Sequence, residues 1–72
     1  MFNGYRNWNH WNVSLWINND EVLYRKALNY IDHGRRPRDH AAALMAQELH
    51  GQKTPDGAPY SKTAIRAAMV GM

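Results

Sequence analysis

The pattern of apolar and polar residues along the chain predicts four helices and no strand. Its first stretch, from Trp8 to Ile17, carries apolar side chains on two neighbouring faces when it is wound at about 100° per residue. Six large side chains cover more than half of that circumference: Trp8, Trp11, Val13, Leu15, Trp16 and Ile17. Because a helix that is apolar over most of its surface is usually surrounded by protein, we expect this first helix to lie in the interior of the fold.

The polar residues in and before this helix carry further expectations. Asn7 is placed to cap its N-terminus. The residues left as a narrow polar strip, expected to face solvent, are His10, Ser14 and Asn18. Asn12 falls between the two apolar faces, where an amide without partners would cost roughly 1–3 kcal/mol, so we expect it to be hydrogen-bonded inside the domain. Phe2 and Tyr5 are expected to fold back on the helix.

Start and stop signals place a second helix close behind the first. Asn18 followed by Glu21 fits a capping box, which predicts a helix from about residue 19 to residue 33. Gly34 is well placed to end it as the left-handed residue after a helix. Little chain is therefore left to separate the first two helices.

Two further helices follow, separated by a turn-rich connection. Pro37 suits the first position of a third helix that runs to about residue 50. Residues 52–60 form a connection that bends at Pro55-Asp56-Gly57. Ser61 caps a short last helix that runs to about residue 70. The residues of these two helices expected to face the core are Ala42, Met45, Ala46, Leu49, Ala64, Ile65, Ala68 and Met69.

These elements predict an all-α fold, a compact bundle of three main helices plus a short C-terminal helix, in a single helical domain spanning residues 1–72. A chain of this length buries only about 60% of its unfolded surface. It contains no cysteine, so neither disulfides nor thiolate metal sites can support the core. We therefore expect the aromatic side chains to be core residues rather than a platform for a ligand, with Tyr5, Tyr30 and Tyr60 at the rim, freer to face a partner.

Charge and hydropathy exclude several classes of protein. Nine Lys plus Arg against six Asp plus Glu give a formal net charge of +3, a mild bias toward anionic partners. An excess of positive charge argues against mimicry of DNA by surface carboxylates. No apolar run approaches the roughly 20 residues that cross a bilayer, and the N-terminus lacks the layout of a signal peptide. These features predict a cytoplasmic protein without membrane partners.

No residue pattern in the chain indicates catalysis or metal binding. The four histidines, His10, His33, His40 and His50, lie on different predicted elements without the close spacing of paired ligands. No serine or threonine stands in the context of an activated nucleophile. We therefore expect no enzyme, no catalytic residue, no metal and no cofactor.

The basic residues are the candidate partner-binding site. They are Arg35, Arg36 and Arg38, with Arg25 and Lys26 on an adjoining surface. Guanidinium groups bind phosphates and carboxylates bidentately, and Pro37 stiffens the loop that carries them. Ordinary solvated charge is the alternative reading. The short turn also permits a helix-turn-helix with Arg38, His40 and Gln47 facing a groove, although Ala41 to Ala46 offers few side chains that read base edges.

The run from Asn3 to Tyr24 resembles the opening of small uncharacterised proteins from phages and mobile elements. Their pattern is roughly N-G-(aromatic)-x-N-(aromatic)-x-T-W-x-V-x-L-W-x-x-N-D-E-x-L-Y. The matching residues are Trp11, Val13, Leu15, Trp16, Asn19, Asp20, Glu21, Leu23 and Tyr24, and the later T-P-D-G, Thr54 to Gly57, is also similar. His10 stands where the pattern has threonine. The resemblance implies a phage-borne accessory gene, a class that often encodes inhibitors of host defence, including anti-CRISPR proteins.

Three functional hypotheses follow from the charge and the resemblance. The first is a non-catalytic, anti-CRISPR-like inhibitor that binds a host protein or ribonucleoprotein complex, such as a CRISPR effector, and blocks nucleic-acid access or assembly. The second is a small nucleic-acid-binding regulator of helix-turn-helix type. The third is a phage structural or assembly protein. Apolar surface left uncovered by so short a chain also leaves a homodimer open.

Overall fold

A computed structural model describes residues 4–72 and places four helices in them. They are α1 (Trp8–Asn19), α2 (Glu21–Ile31), α3 (Arg38–Glu48) and α4 (Lys62–Ala68). Outside the helices, an antiparallel bridge joins Lys53 and Pro59. The all-α prediction, with three main helices and a short C-terminal one, is confirmed.

Of the N-caps predicted for the first two helices, one is observed and the other is replaced by a different residue. The Asn7 side chain accepts a hydrogen bond from the His10 backbone N–H at 3.0 Å, as expected. The expected capping box at Asn18 is wrong, because Asp20 accepts the bond from the Leu23 backbone N–H at 3.0 Å instead. Asp20 has extended backbone angles and is the one residue between α1 and α2. The Asn18 amide donates back to its own helix, to the Ser14 carbonyl.

The other helix ends differ from expectation by a residue or two. α2 stops at Ile31 because Asp32 and His33 both adopt a left-handed φ of 55°, and Gly34 follows at 82°. Pro37 is the N-cap of α3 rather than its first residue. At α4 the Ser61 hydroxyl accepts from the Ala64 N–H at 3.3 Å, so the predicted cap is confirmed.

The four helices pack as a ring. α1 packs against α2 and α4, and α3 packs against the same two helices from the other side. Among the described helices, neither α1 and α3 nor α2 and α4 bring their backbones close together. The expectation that α1 lies in the interior of the fold is therefore wrong. Each helix of such a ring packs one face against the shared core and leaves the opposite face outward.

The buried face of α1 differs from the apolar stripe read from the sequence. Its buried residues are Asn12, Val13, Ser14 and Ile17. All three indoles, of Trp8, Trp11 and Trp16, are half-buried, and Leu15 is 38% exposed. Ser14, expected in the solvent-facing strip, is buried because its hydroxyl donates to the Tyr5 hydroxyl at 2.8 Å. Tyr5 thus folds back on α1 as expected, whereas Phe2 lies outside the described residues.

Small residues and a few large aliphatic ones fill the centre of the ring. The largest fully buried side chains are Ile17, Met45, Ile65, Met69, Val13 and Asn12. Alanines at Ala27, Ala41, Ala42 and Ala64 are completely buried and let the helices approach closely. The predicted inward residues of α3 and α4 are buried except Ala46, which is half-buried. No helix in residues 4–72 has the length and apolar character needed to cross a membrane.

Candidate functional site

The T-P-D-G turn, residues 54–57, is bound to α1 by side-chain hydrogen bonds. The Asp56 carboxylate accepts from the Asn12 amide at 2.8 Å and from the Trp16 indole N–H at 2.9 Å. The Thr54 hydroxyl donates to the side-chain oxygen Oδ1 of Asn12 at 2.5 Å and accepts from the Ala58 backbone N–H at 3.0 Å. The turn is therefore part of the folded body rather than a free connection.

This network satisfies the buried side-chain amide of Asn12. Asn12 is 1% exposed and has both a donor and an acceptor bond, so the expectation of internal hydrogen bonds is confirmed. Thr54 is also buried, and backbone bonds close the turn from the Gly57 N–H to the Thr54 carbonyl at 2.8 Å. Gly57 has a φ of 95°, which suits glycine at this position of the turn. The arrangement is structural, and it holds the T-P-D-G turn against α1.

Acid is expected to weaken this attachment through Asp56. The bonds from Asn12 and then Trp16 hold the pKa of the Asp56 carboxyl below its ordinary value. A depressed folded-state pKa gives stability that is complete above the unfolded value, about 3.9, and is lost as the pH falls through the folded value. Asp56→Asn keeps an acceptor oxygen but cannot titrate. Its urea midpoint should therefore fall less than that of the parent chain between about pH 5 and about pH 3; identical acid sensitivity would contradict the assignment.

Two of the predicted partner-binding residues are paired with carboxylates. Arg25 contacts Glu21 at 2.5 Å one turn away, with both side chains more than 70% exposed (72% and 74%), so the pair adds little stability. Lys26 contacts Glu48 of α3 at 2.6 Å, and the Tyr30 hydroxyl donates to the same carboxylate at 2.5 Å. These bonds lower the pKa of Glu48, with the Lys26 bond the larger cause. Lys26 therefore ties α2 to α3.

Two further predicted residues bond to backbone carbonyls. The Arg36 guanidinium donates to the Tyr30 carbonyl at 2.8 Å. The Arg38 guanidinium donates to the Met69 carbonyl at 3.1 Å and also to the Met72 carbonyl. A cation at the C-terminal end of α4 satisfies carbonyls that lack helical partners and suits the helix dipole. Since the two guanidinium groups bind different elements, they do not form a common fork.

Arg35 is the predicted site residue most open to a partner. Its side chain is exposed and has no hydrogen bond or ion pair with any residue in the described range. The backbone beneath it is fixed, because the Arg35 N–H donates to Asp32 at 3.0 Å and the Arg36 N–H to Ile31 at 3.1 Å. We call residues 32–37 the arginine loop. It displays one free guanidinium on a closed backbone turn.

The other candidate features are accounted for by packing. Tyr60, expected at a free rim, is buried, and burial raises the pKa of its hydroxyl. His10 shares a hydrogen bond of 3.3 Å with Thr63 of α4. No group of three or more metal-binding side chains occurs within residues 4–72. Of the three residues that the helix-turn-helix hypothesis places toward a groove, His40 and Gln47 are exposed on α3. The third, Arg38, donates a hydrogen bond to the Met69 carbonyl at the end of α4.

The whole chain, residues 1–72, matches a family described as a family of unknown function (DUF7249), and the protein belongs to that family. No curated protein and no solved structure shows significant similarity to it.

Proposed function

We propose that this member of the DUF7249 family is a non-enzymatic, phage-encoded inhibitor that binds a host defence complex of CRISPR-effector type in the host cytoplasm. It blocks nucleic-acid access or assembly by occupying a site. The single observation that carries the proposal is the arginine loop, in which an unpaired, exposed guanidinium stands on a hydrogen-bonded turn.

A fixed loop favours binding because less conformational entropy is lost on association. Immobilising a side chain at an interface costs about 0.5–1.5 kcal/mol, and ordering a flexible loop adds to that cost. A backbone already closed by hydrogen bonds avoids the added cost of ordering the loop. Arg35 can then donate bidentately to a carboxylate or a phosphate. Arginine is also enriched among residues that dominate binding energies at interfaces.

The other predicted residues have unequal parts in this surface. Arg25 keeps an exposed guanidinium in a weak pair with Glu21, so a partner's anion can replace that carboxylate. Lys26 is bound between helices, and Arg36 and Arg38 hold the loop and the C-terminus in place. We therefore assign contact to Arg35 and Arg25, and support of the surface to Lys26, Arg36 and Arg38.

Charge reversal at Arg35 tests the proposal. Phage would be plated on hosts that carry defined CRISPR systems and express the parent chain, Arg35→Glu, or the control Asn9→Asp/Gln47→Glu, which makes the same change in net charge at two exposed positions. Because the guanidinium is the proposed contact, Arg35→Glu should lower the restored plating efficiency at least ten-fold. The control should retain it.

A second measurement separates binding from general toxicity. The purified parent chain should form a stoichiometric complex with the effector of the system that it inhibits, and Arg35→Glu should elute separately from it. Intact immunity in every tested system in the presence of the parent chain, with no effector complex, would end the proposal.

A further inference from the structure

Two grooves on the α4 side of the molecule meet at Lys62. One, of about 370 Å³, lies beside the T-P-D-G segment and is bordered by Lys53 and Lys62. The other, of about 330 Å³, lies between the start of α1 and the outer face of α4 and is bordered by Arg6, Lys62 and Arg66. We call Arg6, Lys53, Lys62 and Arg66 the cationic strip. Arg6 is far from the other three in sequence, and the packing of α4 against α1 brings it onto the same side as Lys62 and Arg66.

The cationic strip is poorly neutralised. Asp39 is the one carboxylate that borders either groove, and it pairs with Lys62 at 3.1 Å with both side chains substantially exposed. Arg6, Lys53 and Arg66 have no ion pair or side-chain hydrogen bond with any residue between 4 and 72. On the α2 side, by contrast, Arg25 and Lys26 each face a glutamate. Much of the chain's excess positive charge is therefore on the α4 side.

The groove between α1 and α4 has fixed walls and hydrogen-bonding groups. The bond between His10 and Thr63 joins the first turn of α1 to α4 across the groove. The Ala67 and Val70 side chains provide apolar surface between the charges, and Val70 is 73% exposed. Lys62 and Arg66 are four residues apart on one helix, so they are neighbours along the groove, roughly 6 Å apart in rise.

We propose that the cationic strip binds the phosphodiester backbone of a nucleic acid strand. Phosphates in series require a row of cations with few carboxylates beside it, which is the arrangement of Arg6, Lys62 and Arg66 along the groove. The Thr63 hydroxyl, which bonds to His10, and the Ser61 hydroxyl, which caps α4, border the grooves as neutral polar groups beside these cations. Contacts to phosphates carry no base information, so the binding that we propose is independent of base sequence.

This inference goes beyond the proposed function and uses none of the arginine-loop residues, so either can fail alone. If both hold, one small chain contacts a protein through the arginine loop and the nucleic acid of the same complex through the cationic strip. A backbone contact of this kind releases counterions, so the binding is strongest at low salt.

The test is fluorescence anisotropy with a labelled 20-nucleotide single strand and the matching 20-base-pair duplex, titrated with the intact chain at several salt concentrations. The variant is Arg6→Gln/Arg66→Gln. The matched control is Asn29→Asp/Gln47→Glu, which makes the same change in net charge at exposed positions outside both grooves. Circular dichroism melts of all three proteins verify that the fold is kept.

The parent chain should bind at low salt, and the groove variant at least ten-fold more weakly. Its plot of log affinity against log salt should be shallower by about 2, one for each lost phosphate contact. The control should stay within about two-fold of the parent. Absence of parent binding, or equal losses in variant and control, would overturn the inference. So would equally tight binding of a polyglutamate of the same length, which would assign the strip to acidic proteins.

Discussion

Asn12→Leu should destabilise the protein by about 1–3 kcal/mol, because it removes the buried amide on which the T-P-D-G turn is docked. The Thr54 hydroxyl would lose its acceptor while buried, and the Asp56 carboxylate would lose one of its two side-chain donors. Urea unfolding followed by tryptophan fluorescence measures the loss, and the nearby Trp16 indole reports on the same network.

A double-mutant cycle assigns this loss to the network. Thr54→Val removes the hydroxyl alone, and the combined Asn12→Leu/Thr54→Val variant leaves neither partner unsatisfied in that bond. The combined loss should therefore be smaller than the two single losses added together. Asn9→Leu, the same change at an exposed position of α1, should stay within about 0.5 kcal/mol of the parent. Strict additivity of the two changes would show that no coupling exists.

Ile65→Ala should cost about 2–5 kcal/mol, the largest effect that we expect from a single change. Ile65 is fully buried in α4, the shortest helix, which packs against both α1 and α3. Small domains have only about 5–15 kcal/mol of stability, so this loss should leave a substantial unfolded fraction near physiological temperature. Thermal melts by circular dichroism measure it.

Graded changes separate cavity formation from a general effect of altering α4. Ile65→Val should cost only about 0.5–1.5 kcal/mol, since it removes one methylene group. Val70→Ala, just after α4 and 73% exposed, should have little effect. If Ile65→Ala melted at the same temperature as Val70→Ala, the assignment of Ile65 to the core would be wrong.

Local features of the fold followed from short stretches of sequence. The caps at Asn7 and Ser61 are bonds to the residue three positions on, so the local order of residues was enough to predict them. The inward faces of α3 and α4 were predicted because small apolar residues recur there at helical spacing. The internal bonding of Asn12 was predictable from its position between apolar neighbours, although its partners were not.

The burial of α1 could not be predicted in the same way. Periodicity shows which side chains are apolar but not how many helices surround them, and a ring of four leaves all three indoles half-buried. Ser14 is bonded to the Tyr5 hydroxyl, and Tyr60 packs into the core cluster together with residues of all four helices. Each of these outcomes depends on a contact with another segment of the chain.

In the candidate site, too, local sequence indicated some features and contacts between distant segments set the others. A run of arginines in the sequence indicated one basic patch, but Arg36 and Arg38 turn inward to carbonyls of α2 and of the α4 end. The residues of the cationic strip were missed as a group because Arg6 is separated from the other three by most of the chain. The spacing of Lys62 and Arg66 was the only local signal of that surface.

The sequence by itself determined the helical class, the approximate positions of the four helices and the caps at Asn7 and Ser61, because these depend on interactions within a few residues. Only the tertiary structure decided which arginines bond to other described residues, which indoles reach solvent and which cations share a groove. Charge and exposure at a surface depend on distances between elements, and those distances are set when α4 and the T-P-D-G turn pack against α1.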